Sequence, residues 1–159
     1  MTGVQTCALP ISGIGELSFG GQNEREGAWP VVFGDFAGGA EIDSDVLAAD
    51  ILKNPLLSGV TFSGGEPFCQ AEALCAVADA LGGQKRLMAY TGYTFEQLLT
   101  LPDPFVLRLL SQLDLLVDGR FVEAERNISL RFRGSENQRV LDVPASLAAG
   151  TAVWNETYR

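Results

Sequence analysis

The chain has 159 residues, enough for one domain with a buried core, and 47% of them are apolar against 19% charged, a globular rather than disordered composition. Its 20 acidic and 11 basic residues leave a formal charge of -9, which argues against nucleic acid as a direct partner, because a phosphate backbone needs a basic face. Histidine is absent from the sequence, so a Ser-His-Asp triad, a histidine general base and every histidine-containing metal site are excluded.

No apolar run approaches the ~20 residues that a membrane span needs, and the first residues do not read as a basic segment followed by an apolar one, so neither a membrane partner nor a secretory signal is expected. Three cysteines with no framework spacing suit a reducing cytoplasm. Arg120, Arg126, Arg131, Arg133 and Arg139 make the stretch 120–139 locally basic, which leaves room there for a small anionic ligand.

In chain order, residues 1–12, MTGVQTCALPIS, show no periodicity and no cap. They resemble the translation of a sequencing-library adapter read from a GTG start. On that reading they are not native, the gene begins upstream, the chain is truncated at its N-terminus, and Cys7 carries no chemistry. Residues 13–34 are glycine-rich and irregular, with one weak strand candidate at Val31–Phe33, and are read as chimeric or frameshifted sequence. The domain proper is expected over 35–159.

Asp43 or Ser44 caps a first helix, with Val46, Leu47, Ala49, Ile51 and Leu52 at helical spacings. SGVTF is a short β-branched strand. Pro67 suits the first turn of the next helix, whose Ala71, Leu74, Cys75, Ala78 and Leu81 form one stripe. LGGQ ends it as glycine does. RLMAY is a strand, Thr94 and Gln97 are placed as a capping box, PFVLRLLSQ is helical and LDLLVDG is a further strand. Strands alternating with helices, each strand followed by glycine, predict parallel α/β layering.

Ligands in such folds bind at the carboxyl ends of the strands, here SGGEP, YTGY and VDGRF. Gly64 and Gly65 lack Cβ, so their backbone can approach a ligand closely. Glu66 adds a carboxylate, and the three together suit an ammonium, which needs several acceptors. The same residues equally make a tight strand-to-helix turn with Glu66 at the positive end of the helix. Thr91-Gly92 and Asp118-Gly119 are also ordinary turn pairs. Asp118 and Arg120 sit two apart, so on extended backbone they point to one side, flanking one polar ligand or forming a surface ion pair worth under about 1 kcal/mol. On a helix, Cys69 and Cys75 are separated by about 600°, so their side chains diverge by roughly 120° and cannot chelate one ion. Cys75 is expected in the core.

Taken in order, GVTFSGGEPFCQ, TGYTFEQLL, LDLLVDGRF and LRFRGSENQRVLDV resemble the anaerobic ribonucleoside-triphosphate reductase activating protein family, of the radical S-adenosylmethionine superfamily. The resemblance runs over roughly residues 35–145, and DFAGG near its start also matches. It implies a partial, incomplete parallel β/α barrel, here lacking its first strand, with S-adenosylmethionine and a [4Fe-4S] cluster as cofactors. In that family reduced cluster cleaves the sulfonium to a 5′-deoxyadenosyl radical, which installs a glycyl radical on the large subunit of the anaerobic reductase. An electron donor such as flavodoxin is a further implied partner. By resemblance, Ser63, Gly64, Gly65 and Glu66 match the motif that holds the cofactor's methionine ammonium, and Thr91 and Asp118 fall where later strand ends flank it. Arg133 and Asn137 receive no role, with folding and a partner surface both open.

The family's cluster sits on a C-x3-C-x2-C loop, and a cubane needs thiolates. No such triplet occurs in this sequence. One alignment puts Ile14, Ser18 and Gly21 at the cysteine positions; the other takes residues 13–34 as foreign to the gene. The chain as written is therefore expected to be inactive within an activating-enzyme family. The competing readings are a cluster-free relative that binds S-adenosylmethionine or the reductase without catalysis, and an ordinary α/β nucleotide-binding domain.

Overall fold

The computed structural model describes residues 3–5, 16–19, 41–63 and 66–159. Gly64, Gly65 and the strand candidate at Val31–Phe33 lie outside them, as do Cys7, Ile14 and Gly21.

Seven strands are described: β1 (Gly3–Gln5), β2 (Glu16–Phe19), β3 (Glu41–Asp43), β4 (Gly59–Ser63), β5 (Arg86–Tyr90), β6 (Leu115–Asp118) and β7 (Arg139–Asp142). β1 pairs antiparallel with β3. The others form one sheet in the order β2-β4-β5-β6-β7. Its centre, β4-β5-β6, is parallel, while β2 and β7 flank it antiparallel. The expected α/β layering holds for the centre, and the antiparallel flanks make the sheet mixed. β2 falls where the sequence predicts irregular chain. It pairs with β4 from Glu16↔Ser63 to Phe19↔Val60. At the opposite edge, Asp142 N–H donates to Val153 O at 3.0 Å and Asn155 N–H to Val140 O at 2.9 Å, so the C-terminal segment covers the backbone edge of β7.

Five helices are described: α1 (Ser44–Lys53), α2 (Ala71–Leu81), α3 (Phe95–Leu98), α4 (Pro104–Gln112) and α5 (Val143–Ala149). Asp43, Thr94, Asp103 and Asp142 cap α1, α3, α4 and α5 through side-chain acceptors, each satisfying helix N–H groups that have no intrahelical partner. Thr94 and Gln97 form the expected reciprocal capping box. The turn at Pro67–Gln70 is 3-10 rather than α, and α2 starts only at Ala71. Gly82 ends α2 in the left-handed region at φ 57°, as a C-terminal cap requires.

Alternation along the strands sends one side chain in two to the helical layer. Phe62, Ala89, Leu116 and Leu141 occupy one rung across four strands, all buried. Against them pack Ile51 of α1, the predicted α2 stripe Ala71, Leu74, Cys75, Ala78 and Leu81, and Val106, Leu109 and Leu110 of α4. Val46 and Ala49, counted as apolar stripe positions in the sequence, face solvent, and Ala48 is buried instead. Among the described residues no helix is long and apolar enough to cross a membrane.

Candidate functional site

The three glycine-bearing strand ends converge. β4 closes at Ser63, half-buried, and the chain re-emerges at Glu66, which caps the Pro67–Gln70 turn by accepting from Phe68 N–H at 3.2 Å. The same carboxylate reaches the end of β5. Thr91 Oγ1 donates to Glu66 Oε1 at 2.8 Å, and Gly92 N–H donates to Oε2, also at 2.8 Å. Thr91 is 6% exposed. Its hydroxyl oxygen accepts from Tyr93 N–H at 3.1 Å, and its own N–H donates to Val117 O of β6 at 2.9 Å. Gly119, after β6, donates its N–H to Tyr93 O at 2.9 Å. Glu66 and Thr91, singled out in the sequence, are therefore directly joined.

Asp118 is reached differently. It is 1% exposed, and both of its oxygens are engaged inside the protein. Arg139 Nε donates to Oδ1 at 2.9 Å, and Arg139 Nη2 and Phe95 N–H donate to Oδ2 at 2.5 and 2.7 Å. Arg139 also grips Glu96 with both terminal nitrogens, at 3.2 and 2.8 Å. These partners push the Arg139 guanidinium further from deprotonation, Asp118 contributing most, and hold Glu96 below the usual carboxylate range. The Asp118–Arg120 pairing considered from the sequence is not made. Gly119 takes φ +94°, a left-handed conformation that turns Arg120 out of the extended line. Arg120 is exposed, and its Cγ flanks Gly92, 3.7 Å from where a methyl on that glycine would sit.

Sequence reasoning missed Arg139. The signal lay in register: LLVD and RVLD pair antiparallel with Asp118 opposite Arg139, a cross-strand opposite-charge pair.

Burial drives the electrostatics of Glu66. Desolvation raises its pKa above the ordinary value, against the hydrogen bonds from Gly92, Thr91 and Phe68 that lower it. The ion pairs among the described residues give Glu66 and Arg120 no oppositely charged partner. An ionised carboxylate has about four lone-pair positions. Donors among the described residues fill three, two on Oε1 and one on Oε2, which leaves Oε2 the more open to a further donor. A half-buried anion with a spare acceptor position suits a cationic hydrogen-bond donor.

The RGSENQR block builds the loop after β6. Ser135 Oγ accepts from Val122 N–H at 3.1 Å and donates to Asn137 Oδ1 at 2.7 Å, while Asn137 Nδ2 donates to Arg120 O at 2.8 Å. Gln138 Oε1 accepts from Gly134 and Ser135 N–H at 2.9 and 3.2 Å, and its Nε2 donates to Gly119 O at 3.0 Å. Arg133 Nη1 donates to Gln138 O at 3.0 Å, and its guanidinium lies 5.1 Å from the centre of the Trp154 ring. Arg133 and Asn137 thus have a folding role.

The described thiols stand apart in environment. Cys69 is exposed on the Pro67–Gln70 turn; Cys75 is buried in α2, its Sγ 3.6 Å from Phe105 O. Burial, above all, pushes the Cys75 thiol up to about 11. Among the described residues no three histidine, cysteine or acidic side chains form a group able to hold a metal.

A recess of about 500 Å³ lies at the other, N-terminal end of the strands, with Ser58, Asp79, Lys85, Arg86, Gln112 and Asp114 in its wall. Its polar groups are largely engaged internally, Asp79 by Arg108 and Gln112 and Lys85 by the carbonyls of Asn54 and Leu57.

The family model described as a 4Fe-4S single cluster domain matches residues 25–141. The chain is similar to the anaerobic ribonucleoside-triphosphate reductase-activating protein of Haemophilus influenzae, 30% identical over 142 residues that cover 83% of this chain and 84% of the relative. It is also similar to the protein of the same name from Vibrio cholerae, 35% identical over 86 residues, covering 50% of this chain and 52% of the relative. No solved structure matches. On the family model and these relatives, the chain belongs to the anaerobic ribonucleoside-triphosphate reductase-activating protein family.

Proposed function

We propose that this chain binds S-adenosylmethionine at the carboxyl ends of β4, β5 and β6 and serves the activation of an anaerobic ribonucleoside-triphosphate reductase. The sheet is read as the incomplete barrel of the radical S-adenosylmethionine type. The observation that carries the reading is the Glu66 carboxylate, locked by Thr91 Oγ1 and Gly92 N–H at 2.8 Å each and lacking a cationic partner among the described residues.

Bound there, S-adenosylmethionine supplies the sulfonium centre on which the family's glycyl-radical chemistry depends. The chain's own residues bind and orient it. Glu66 offers its remaining lone pair to the ammonium, a charge-assisted hydrogen bond worth about 1.5–3 kcal/mol. Gly64 and Gly65, between Ser63 and Glu66 in the sequence, carry no Cβ to hinder a ligand's close approach. Ser63 ends β4 just before them in the sequence, and Arg120, whose Cγ flanks Gly92, would meet the carboxylate of the same amino-acid moiety. Asp118 acts from behind, fixing the Tyr93–Phe95 segment through Phe95 N–H.

The cluster does not fit the donors present. Three thiolates are needed, and the sequence offers Cys7, Cys69 and Cys75 with no C-x3-C-x2-C spacing; one of the three is buried in α2 against Phe105. No step is therefore assigned through a cluster held by these residues: they support the cofactor-binding part of the activation, and its cluster ligands are not among them.

Isothermal titration of the chain with S-adenosylmethionine, S-adenosylhomocysteine and 5′-methylthioadenosine tests the reading. The first two carry the ammonium and the third does not. We expect both to bind at least about tenfold more tightly than 5′-methylthioadenosine, equivalent to about 1.4 kcal/mol. Equal affinities, or no binding by any of the three, would overturn it.

A further inference from the structure

The loop from Arg120 to Gln138 holds apolar side chains in water on a rigid frame. Among the described residues six large apolar side chains are exposed, and three of them, Phe121, Ile128 and Phe132, fall within twelve residues of this loop. The frame is not slack: the Ser135, Asn137 and Gln138 side chains tie it to the backbone just after β6. Phe121 lies so close over Gly134 that a methyl there would meet its ring at 3.1 Å. Phe132 is held at φ +61°, a conformation strained for a bulky side chain. Its ring meets Tyr158 edge-on at 4.8 Å. A frame that keeps aromatic and aliphatic side chains exposed, one of them on strained backbone, is preorganised to bury them elsewhere.

The charge pattern narrows the occupant. On this loop four arginines, Arg120, Arg126, Arg131 and Arg133, outnumber three glutamates, Glu123, Glu125 and Glu136, in a chain that as a whole carries -9, and Arg131 has no carboxylate partner among the described ion pairs. Aromatic residues and arginine are also the types enriched at protein interfaces. The position narrows it again. The loop begins at Arg120, beside Gly92, whose N–H is bonded to Glu66. A macromolecule seated on the loop would overhang the mouth of the candidate cofactor site.

We infer that this loop docks an acidic, apolar-studded segment of the anaerobic reductase, Arg131 meeting a carboxylate while Phe121, Ile128 and Phe132 enter the partner. The inference rests on the activating reading above and adds the surface through which the reductase is recognised.

The test is equilibrium binding of the full chain to its purified cognate reductase, by sedimentation velocity at two salt concentrations. The variants are Ile128→Asp, Arg131→Glu and, as a control, Leu56→Asp. Ile128 is 88% and Leu56 83% exposed, so neither substitution opens the core, and circular dichroism melts verify folding. We expect Ile128→Asp to weaken the complex at least about tenfold, Arg131→Glu to weaken it and flatten its salt dependence, and Leu56→Asp to leave it unchanged. Wild-type binding that Ile128→Asp leaves intact overturns the docking surface while the activating reading stands. Loss of self-association rather than of reductase binding makes the patch an interface between copies of this chain, which also overturns it. Failure of the wild-type chain to bind the reductase at all overturns both.

Discussion

Asp118 and Arg139 face each other across β6 and β7 as a two-pronged ion pair, with Arg139 Nε 2.9 Å from Oδ1 and Nη2 2.5 Å from Oδ2. The acid is 1% exposed and the base about a quarter exposed. The pair does more than join two strands, because Oδ2 also holds Phe95 N–H, the first amide of α3. That fixes the segment whose other end, Thr91 and Gly92, grips Glu66. Breaking a buried pair by removing one partner leaves an uncompensated charge and costs about 3–5 kcal/mol. Asp118→Ala should lower stability by that amount in urea denaturation. A loss under about 1 kcal/mol would show that the pair behaves as a surface bridge.

Side by side at the start of α3, the cap Thr94 and the first helical residue Phe95 separate capping from packing. Thr94→Ala removes the acceptor for Gln97 N–H at 3.2 Å and should cost about 1 kcal/mol. Phe95, fully buried in the core, should cost about 3–5 kcal/mol when cut to alanine. The same denaturation series checks the order, and equal losses would contradict it.

Much of this was legible before any coordinates. RLMAY and PFVLRLLSQ coincide with β5 and α4, because a short apolar run bounded by glycine-bearing turns and a proline-started amphipathic helix carry strong local signals. β2 and β7 were not legible: four residues each, with pairing partners that lie far away in the chain. In the candidate site, glycine after each strand led to Glu66 and Thr91, which the structure joins by a hydrogen bond. The partner of Asp118 could not be read from proximity, since Gly119 turns Arg120 aside and the sheet register supplies Arg139 instead.

Glu66 should leave a pH signature of definite sign. Burial holds its folded pKa above the ordinary value, so the folded state takes up this proton more readily than the unfolded chain. Its contribution to stability is full below the unfolded pKa and is lost as pH rises through the folded one. Urea midpoints measured from acidic to neutral pH should therefore fall less steeply with rising pH in Glu66→Gln than in wild type. Glu96, lowered by Arg139, acts with the opposite sign, its stabilisation being lost as pH falls; exposure to solvent keeps that effect small. Indistinguishable profiles for wild type and Glu66→Gln would contradict the assignment.

The two described thiols should differ in reactivity. Thiolate is the reactive form, and Cys75 is both buried and raised to about 11. Alkylation of native protein at mildly alkaline pH, with peptide mapping, should label Cys69 and spare Cys75 until denaturant is added. Anaerobic treatment with iron and sulfide should leave iron well short of one cluster per chain. Stoichiometric cluster with its broad visible absorbance would contradict the reading of the donor set.

The central claim is that the Glu66 carboxylate, held by Thr91 and Gly92, is the anchor for the ammonium of S-adenosylmethionine. Calorimetric titration of wild type and Glu66→Gln with S-adenosylmethionine and 5′-methylthioadenosine tests it most directly. Glu66→Gln should lose at least about tenfold in affinity for S-adenosylmethionine, about 1.4 kcal/mol, with 5′-methylthioadenosine unaffected. Unchanged S-adenosylmethionine affinity in a folded Glu66→Gln chain would contradict it.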